Sequence, residues 1–288
     1  MAGKTLIYCV GAAKAGTSWL FDYLYSHPEC YFTPVKELHY WDSLEFGRGK
    51  FYRDQIPARI EAIRGRYEVT DGADQRAYQE ANMAANQMWF DSFDGRSRDD
   101  DMYRDFIGLT GTDAKVVGDF TPAYGTLSVK WFSEMAKAAA DSKFVMILRE
   151  PVDRLWSHFR MDAGAGATQA ALEKMDAFLD GGEKTVAMRS NYRRTINRIM
   201  EVVGRDRLHI EFYERLFSDA AIERFCAFLG IAPKAAAFDR KVHGTVEQSP
   251  LDGARRAKAQ AVLKPQYNFI ERFMGELPGE WTTRMVTA

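Results

Sequence analysis

Residues 5–19 read Thr5-Leu6-Ile7-Tyr8-Cys9-Val10-Gly11-Ala12-Ala13-Lys14-Ala15-Gly16-Thr17-Ser18-Trp19, and the fold turns on this stretch. Thr5–Val10 is a β-rich apolar run that stops at Gly11, the pattern of a buried strand. Thr17–Ser26 follows with Leu20, Tyr23 and Leu24 at helical spacing, and His27-Pro28 ends it. Between strand and helix, small residues let backbone N–H groups close around an anion, and the helix N-terminus adds partial positive charge. Thr17 and Ser18 supply hydroxyl donors there and also cap the helix. Lys14, the two hydroxyls and the strand–helix context together favour phosphate binding over a plain tight turn. The loop is not of the Walker A kind, in which Lys stands immediately before Ser/Thr.

The same alternation continues downstream. Cys30–Thr33, Lys115–Phe120, Lys143–Leu148 and Leu208–Tyr213 are short β-rich runs, and helical patterns occupy Val129–Ala140, Val152–Met161, Thr195–Val203 and Ala220–Leu229. Strands alternating with helices imply an α/β protein of three layers, a central parallel sheet covered on both faces. Two regions break the rhythm. Residues 45–112 are polar and aromatic-spiked, with ten Lys or Arg against thirteen Asp or Glu; Gly164–Arg189 is rich in Ala and Gly. With no internal repeat and no low-complexity linker, 1–288 reads as one domain carrying an inserted cap at about 45–112.

Composition bounds the rest. The chain has 288 residues, 46% hydrophobic and 27% charged, which are ordinary globular proportions. A chain of this length buries roughly 75% of its unfolded surface and needs no disulfide or metal to hold a core. Its 39 Lys and Arg balance 40 Asp and Glu, a net of -1, which gives no support to a nucleic-acid or membrane-surface protein. Cys9, Cys30 and Cys226 are odd in number and widely spaced, and read as reduced, packed thiols. Leu6–Ala13 is too short an apolar run for a membrane span or secretory signal. The expectation is a cytoplasmic protein with no membrane span; oligomeric state is open.

A second anchor is Lys143-Phe-Val-Met-Ile-Leu-Arg149-Glu-Pro151-Val-Asp-Arg154-Leu-Trp-Ser157-His158-Phe. Arg149 stands where a strand ends, and Pro151 suits the first turn of the next helix. Val152, Leu155, Trp156 and Phe159 fall on one helical stripe, leaving Ser157 off it and free to bind. An Arg at a strand's carboxyl end beside a helical Ser can hold a second phosphate; an ordinary surface Arg with a solvated Ser is the alternative.

With these residues the chain resembles the sulfotransferases that use 3′-phosphoadenosine 5′-phosphosulfate, most nearly the branch with the heparan-type and many bacterial enzymes. Lys14-Ala-Gly-Thr17-Ser18 resembles their 5′-phosphosulfate loop, and Leu148–Phe159 their 3′-phosphate motif. Lys36-Glu37-Leu38-His39-Tyr40-Trp41 resembles "KEPHFF", and Asp119-Phe120-Thr121-Pro122-Ala123-Tyr124 resembles "EKSPxY". Ile210–Leu216 and Phe225–Ile231 resemble a late strand and an "FLGI" helix of the family. The matches run in the family's order from about residue 5 to 231.

The resemblance implies a P-loop-nucleotide-hydrolase-like fold and in-line transfer of a sulfuryl group from the nucleotide to an acceptor hydroxyl, with no metal. Lys14 would stabilise the leaving phosphate. Lys14, Ala15, Gly16, Thr17, Ser18 and Trp19 would hold the 5′ end of the donor, and Arg149 and Ser157 its 3′-phosphate, with Tyr192 near the nucleotide. Glu37 would be the general base, with His39 as the alternative and a structural carboxylate as the competing reading. The acceptor would be a small molecule or carbohydrate bearing a hydroxyl; Thr121 and Tyr124 would face it. The aromatics Trp89, Phe90, Tyr103 and Phe106 would line its pocket or form the cap's own core. The residues 241–249 are considered as a late loop over the nucleotide. One departure stands out: the family often has Lys where this chain has Phe120, so another cation such as Lys36 substitutes or activity is altered. Two other functions stay open on the residues alone. One is a P-loop small-molecule kinase, with Asp119 as a magnesium-binding acid. The other is a nucleotide-binding homologue that has lost catalysis.

Overall fold

The computed structural model describes residues 3–239 and 250–284, so the late loop considered at residues 241–249 lies outside the described residues. The chain opens with β1 (Thr5–Gly11), α1 (Thr17–Tyr25) and β2 (Cys30–Tyr31). The stretch expected to be a cap is helical: α2 (Tyr40–Phe46), α3 (Gly49–Glu68), α4 (Ala73–Ser92) and α5 (Asp100–Phe106). The sheet resumes with β3 (Val116–Phe120), a 3-10 turn (Pro122–Thr126), α6 (Val129–Lys137) and β4 (Asp141–Leu148). Then come α7 (Pro151–Ala163), α8 (Thr168–Leu179), α9 (Thr185–Met188), α10 (Tyr192–Val203) and β5 (Leu208–Phe212). The chain closes with α11 (Tyr213–Leu216), α12 (Asp219–Leu229), α13 (Gly253–Met274) and α14 (Gly279–Thr283).

The five strands form one parallel sheet in the order β2-β3-β1-β4-β5, flanked by helices. Thr5 pairs with Val116 and Cys9 with Phe120, while Cys30 pairs with Val116. Strands β1 and β3 are buried along their whole length, as continuous apolar runs in a doubly covered sheet should be. The expected strand at Cys30–Thr33 is only two residues long, Cys30–Tyr31. Helix α10 begins three residues earlier than its apolar pattern suggests, since the Asn191 side chain caps it by accepting from the Arg194 N–H at 3.1 Å.

The chain packs as two compact units. The first is Met1–Val10 with Phe21–Phe144; the second is Gly11–Leu20 with Val145–Ala288. In the first, α3 packs on α4, and some aromatics of the 45–112 stretch turn inward while Phe46 and Phe51 are exposed. Trp89, Tyr103 and Phe106 are buried; Tyr103 stacks on Tyr40 at 4.4 Å, and Trp89 stacks on Phe93 at 4.8 Å. Phe90 lies under the Arg53 guanidinium at 3.9 Å. Of the two readings of these rings, the stretch's own core is the one the packing bears out. In the second unit, α7 is packed by α8, α9 and α13. Its first turn is tied down by the fully buried Glu150, which accepts from the Asp153 N–H at 2.6 Å and from the Tyr267 hydroxyl.

Candidate active site

In the second unit the segment from Gly11 to Ser18 is a tight turn held by its own backbone: Ala12 N–H donates to the Ile147 carbonyl at 2.8 Å, and Ala15 N–H to that of Ala12 at 3.2 Å. Gly16 takes a φ of 85°, and a Cβ there would sit 3.1 Å from both the Leu216 side chain and the Tyr213 ring. Glycine is therefore favoured at this position both by its conformation and by the tight space beside it. Lys14 adopts a φ of 71°. Its ammonium reaches the Met161 sulfur at 3.5 Å. Thr17 is buried at the start of α1, and Ser18 is half-buried.

Arg149 leaves the end of β4 and folds back on this loop. One guanidinium nitrogen donates to the Lys14 carbonyl at 2.9 Å, and the guanidinium carbon lies 4.8 Å from the Tyr213 ring centroid. The Tyr192 hydroxyl donates to the Arg149 carbonyl at 2.8 Å, and Tyr192 is fully buried. Tyr192, expected beside a nucleotide, thus fixes the backbone of Arg149. Ser157 lies off the apolar stripe but is only 9% exposed, because three helices pack on α7. Trp19 is also enclosed: its indole N–H donates to the Ala237 carbonyl at 3.0 Å, Phe238 stacks on it at 5.8 Å, and Phe217 meets its edge.

Sequence reasoning gave Arg154 no role. It is fully buried, donates to the Val186 carbonyl at 3.2 Å, and its Nε has no hydrogen-bond partner. Burial, then the charges of Arg189 and Arg149, press its guanidinium down to about 10. A buried cation among like charges signals a place built for anions. It lies off the apolar stripe of Val152, Leu155, Trp156 and Phe159, within the segment that resembles the 3′-phosphate motif.

In the first unit, a different kind of site is built on the segment after β2. Glu37 and His39 both take left-handed backbone conformations, with φ of 57° and 56°. Two contacts from β3 and the turn after it hold them. The Glu37 N–H donates to the Phe120 carbonyl at 3.0 Å, and the Tyr40 N–H donates to the Tyr124 hydroxyl at 3.0 Å. The Tyr124 hydroxyl donates in turn to Asp119 at 2.7 Å, and Asp119 also accepts from Thr121 at 2.7 Å and Tyr103 at 2.9 Å. Thr121 and Tyr124 are fully buried, so they support the segment instead of facing an acceptor. Asp119, with both oxygens engaged by hydroxyls, is poorly placed as a magnesium ligand. Burial raises its carboxyl to about 6 against those hydrogen bonds.

The side chains beyond form a chain of charges. His39 Nδ1 lies 2.8 Å from Asp42 Oδ2, and His39 Nε2 lies 3.7 Å from Glu37 Oε2. The Asp42 side chain is buried, whereas that of Glu37 is 50% exposed. Loss of water would lower the imidazole, but hydrogen bonds and charge from Asp42 and Glu37 outweigh it and push His39 up to about 9. Partial burial would raise Glu37, but His39, then Lys36 and Arg59, hold it down to about 2. His39 is thus an imidazolium at neutral pH, charged between two carboxylates. Phe120 is buried with its ring edge-on to Phe21 at 5.5 Å, and the Lys36 ammonium lies 5.7 Å from the Phe21 centroid. Burial lowers the Lys36 ammonium, partly offset by Glu37.

Residues 7–234 match the sulfotransferase family. The chain belongs to that family. Carbohydrate sulfotransferase 15 of Mus musculus is 23% identical over 322 aligned residues, covering 96% of this chain and 52% of the mouse protein. The Rattus norvegicus protein of that name gives the same identity and coverage. The chain therefore spans about half the length of the curated relatives it matches. Among solved structures, the sulfotransferase from Alicyclobacillus acidocaldarius superposes with a TM-score of 0.61 at 20% identity, covering 98% of this chain and all of that one. The sulfotransferase domain from the Synechococcus PCC 7002 olefin synthase gives 0.52 at 17% identity, over 96% of both chains. At these identities the likeness is one of fold, and it confirms the expected P-loop-like α/β architecture. Membership in the sulfotransferase family sets aside the kinase reading. It also corrects the cytoplasmic placement. That placement rested on reduced thiols and a missing leader, yet the relatives are carbohydrate sulfotransferases about twice as long as this chain. Among the described residues no helix is long and apolar enough to cross a membrane, and that observation assigns no compartment.

Proposed function

We propose that this sulfotransferase-family chain moves a sulfuryl group from 3′-phosphoadenosine 5′-phosphosulfate to the hydroxyl of a small-molecule or carbohydrate acceptor. A single observation carries the assignment of residues. Among the described residues, three non-glycine positions have positive φ: Lys14, Glu37 and His39. Such conformations are costly for residues with a Cβ and persist where the surroundings enforce them, typically at functional sites. They are the same three residues considered for catalysis from the sequence: Lys14 for the leaving phosphate, Glu37 as the base and His39 as its alternative.

The residues of the second unit fit a doubly anionic nucleotide. Lys14, the hydroxyls of Thr17 and Ser18, and the amides from Ala15 to Ser18 suit the 5′ end. Arg149 and Ser157 suit the 3′-phosphate, supported by Tyr192 and by the positive field of Arg154. The nucleotide supplies the activated sulfuryl group. Lys14 places a cation where negative charge grows on the leaving oxygen, and no further proton transfer is needed there. A Cβ at Gly16 would crowd the Leu216 and Tyr213 side chains at 3.1 Å, which favours glycine in the loop.

Glu37 accepts the acceptor's proton. Held near 2, it is a weak base toward an ordinary alcohol, since a base works best with a pKa near the working pH. The acceptor oxygen becomes acidic as its bond to sulfur forms, so a weak carboxylate can take the proton late in the step. His39, already protonated, cannot serve as the base and instead keeps Glu37 ionised and oriented. Trp19 supports the loop by packing. The 45–112 insert, whose buried rings are spent on its own core, serves the acceptor side through its surface residues.

The test is transfer of labelled sulfate from the nucleotide to a panel of alcohols, phenols and sugars, with calorimetry on adenosine 3′,5′-bisphosphate. Sulfate transfer with bisphosphate binding is expected. No affinity for the bisphosphate, or ready displacement by magnesium-ATP, would overturn the assignment.

A further inference from the structure

The insert is not only an acceptor-side element. One face of α3 presents Tyr52, Ile56, Arg59 and Ile63 at helical spacing, and the two isoleucines are buried. The two polar members of this stripe, seven residues apart, land on opposite ends of the Lys36–Asp42 segment. The Tyr52 ring lies parallel to the His39 imidazole, 4.0 Å between centroids and 3° between planes. The Tyr52 hydroxyl donates to Asp42 Oδ2 at 3.0 Å, the same oxygen that faces His39 Nδ1. Arg59 donates from Nη1 to the Lys36 carbonyl at 3.2 Å, one residue before Glu37.

We infer that α3 is the clamp of the catalytic base, with Tyr52 and Arg59 as positioning residues that hold His39 charged and Glu37 in place. This rests on the reading of Glu37 as the base. The physics is direct. A flat aromatic face stacked on an imidazolium stabilises the charged ring. The phenol hydroxyl, by sharing Asp42, does the reverse: it satisfies an anion that would otherwise lean wholly on His39. Arg59 braces the backbone that must carry a left-handed Glu37 and adds positive charge beside its carboxylate. The other titratable or charged groups facing His39 are Glu37, Asp42 and, from β3, Asp119, while Lys36 acts on Glu37; Tyr124 reaches the segment through the Tyr40 amide.

The ring and the hydroxyl of Tyr52 therefore act on His39 with opposite sign, which a merely structural residue would not do. Imidazole NMR titration of the full chain, with His39 assigned by its loss in His39→Gln, reads this out without any substrate. Tyr52→Phe keeps the ring and should titrate at or above wild type. Tyr52→Leu loses the ring and should titrate about one pH unit below Tyr52→Phe. If the leucine variant does not fold, Tyr52→Met makes the same comparison. Equal titration with and without the ring overturns the inference for Tyr52. For Arg59, carboxyl NMR should show Glu37 rising in Arg59→Gln and recovering in Arg59→Lys; an unmoved Glu37 overturns that half. If these titrations shift as expected while the wild type transfers no sulfate, the reading of the reaction fails and the clamp stands. If the wild type transfers sulfate and the titrations do not move, the clamp fails alone.

Discussion

The two units treat their functional residues differently. In the second, the cations are held by backbone and fixed geometry. Arg149 rests on the Lys14 carbonyl, and Tyr192 rests on the Arg149 carbonyl. In the first, Glu37 and His39 sit among charged neighbours: Asp42 and Glu37 raise His39, while His39, Lys36 and Arg59 lower Glu37. The contrast follows from the work each must do. A lysine or arginine facing phosphate is charged under all working conditions and has only to be placed. A proton acceptor must be placed and must also have its protonation state set, which takes neighbours that pull in opposite directions.

Substitutions can break or sharpen that contrast. The largest effect is expected for Glu37→Gln, which removes the proposed proton acceptor: kcat should fall by roughly 10²–10⁴-fold with nucleotide affinity unchanged. Equal transfer rates in variant and wild type would take Glu37 out of the chemistry. Lys14→Ala should lower turnover by roughly 10²–10³-fold, far more than it weakens bisphosphate binding by calorimetry. Comparable losses in both would make Lys14 a binding residue only. Arg149→Ala should act the other way, weakening bisphosphate affinity by about 10–100-fold, as expected for a charge-assisted hydrogen bond, with a smaller effect on kcat.

The smallest effect separates the units by pH. With Glu37 held near 2, the wild-type rate should stay flat down to pH 4; in His39→Gln the acid limb should move up toward the ordinary carboxylate range. Stability should carry the same signature. A histidine raised to about 9 in the folded state contributes its full stabilisation below its unfolded value near 6.5 and loses it as pH rises through 9. Urea melts between pH 6 and 10 should show this alkaline loss in wild type and not in His39→Gln. A loss of the same size in both would assign it to another group.

Legibility in the sequence followed the same division. The loop proposed to hold phosphate was readable because its requirements are local: small residues, a Lys and two hydroxyls between a strand and a helix. Arg149 was readable from Pro151 and the strand before it. Glu37 was reached through the family resemblance, not through its spacing. Tyr52, Arg59 and Tyr124 were beyond local reading, since their partners lie 10, 23 and 84 residues away. Ser157 shows the limit of periodicity, which placed it off the apolar stripe but could not foresee three helices packed on α7. Phe120 shows another. Its charge-for-aromatic exchange is visible in the chain, but only packing shows its ring against Phe21 with Lys36 above.

The sequence by itself determined the alternation of sheet strands with their neighbouring helices, the small-residue turn between the first strand and helix, and the residue types proposed for the chemistry, because hydrophobic period, turn residues and fixed charge act over a few neighbouring positions; the helices of the 45–112 stretch, with no comparable apolar period, were not read from it. Tertiary structure alone decided which groups are charged and how they are held. Burial and long-range neighbours made His39 an imidazolium, Glu37 a weak base and Arg154 a cation without a full set of partners. Such electrostatic environments are assembled only when distant segments meet.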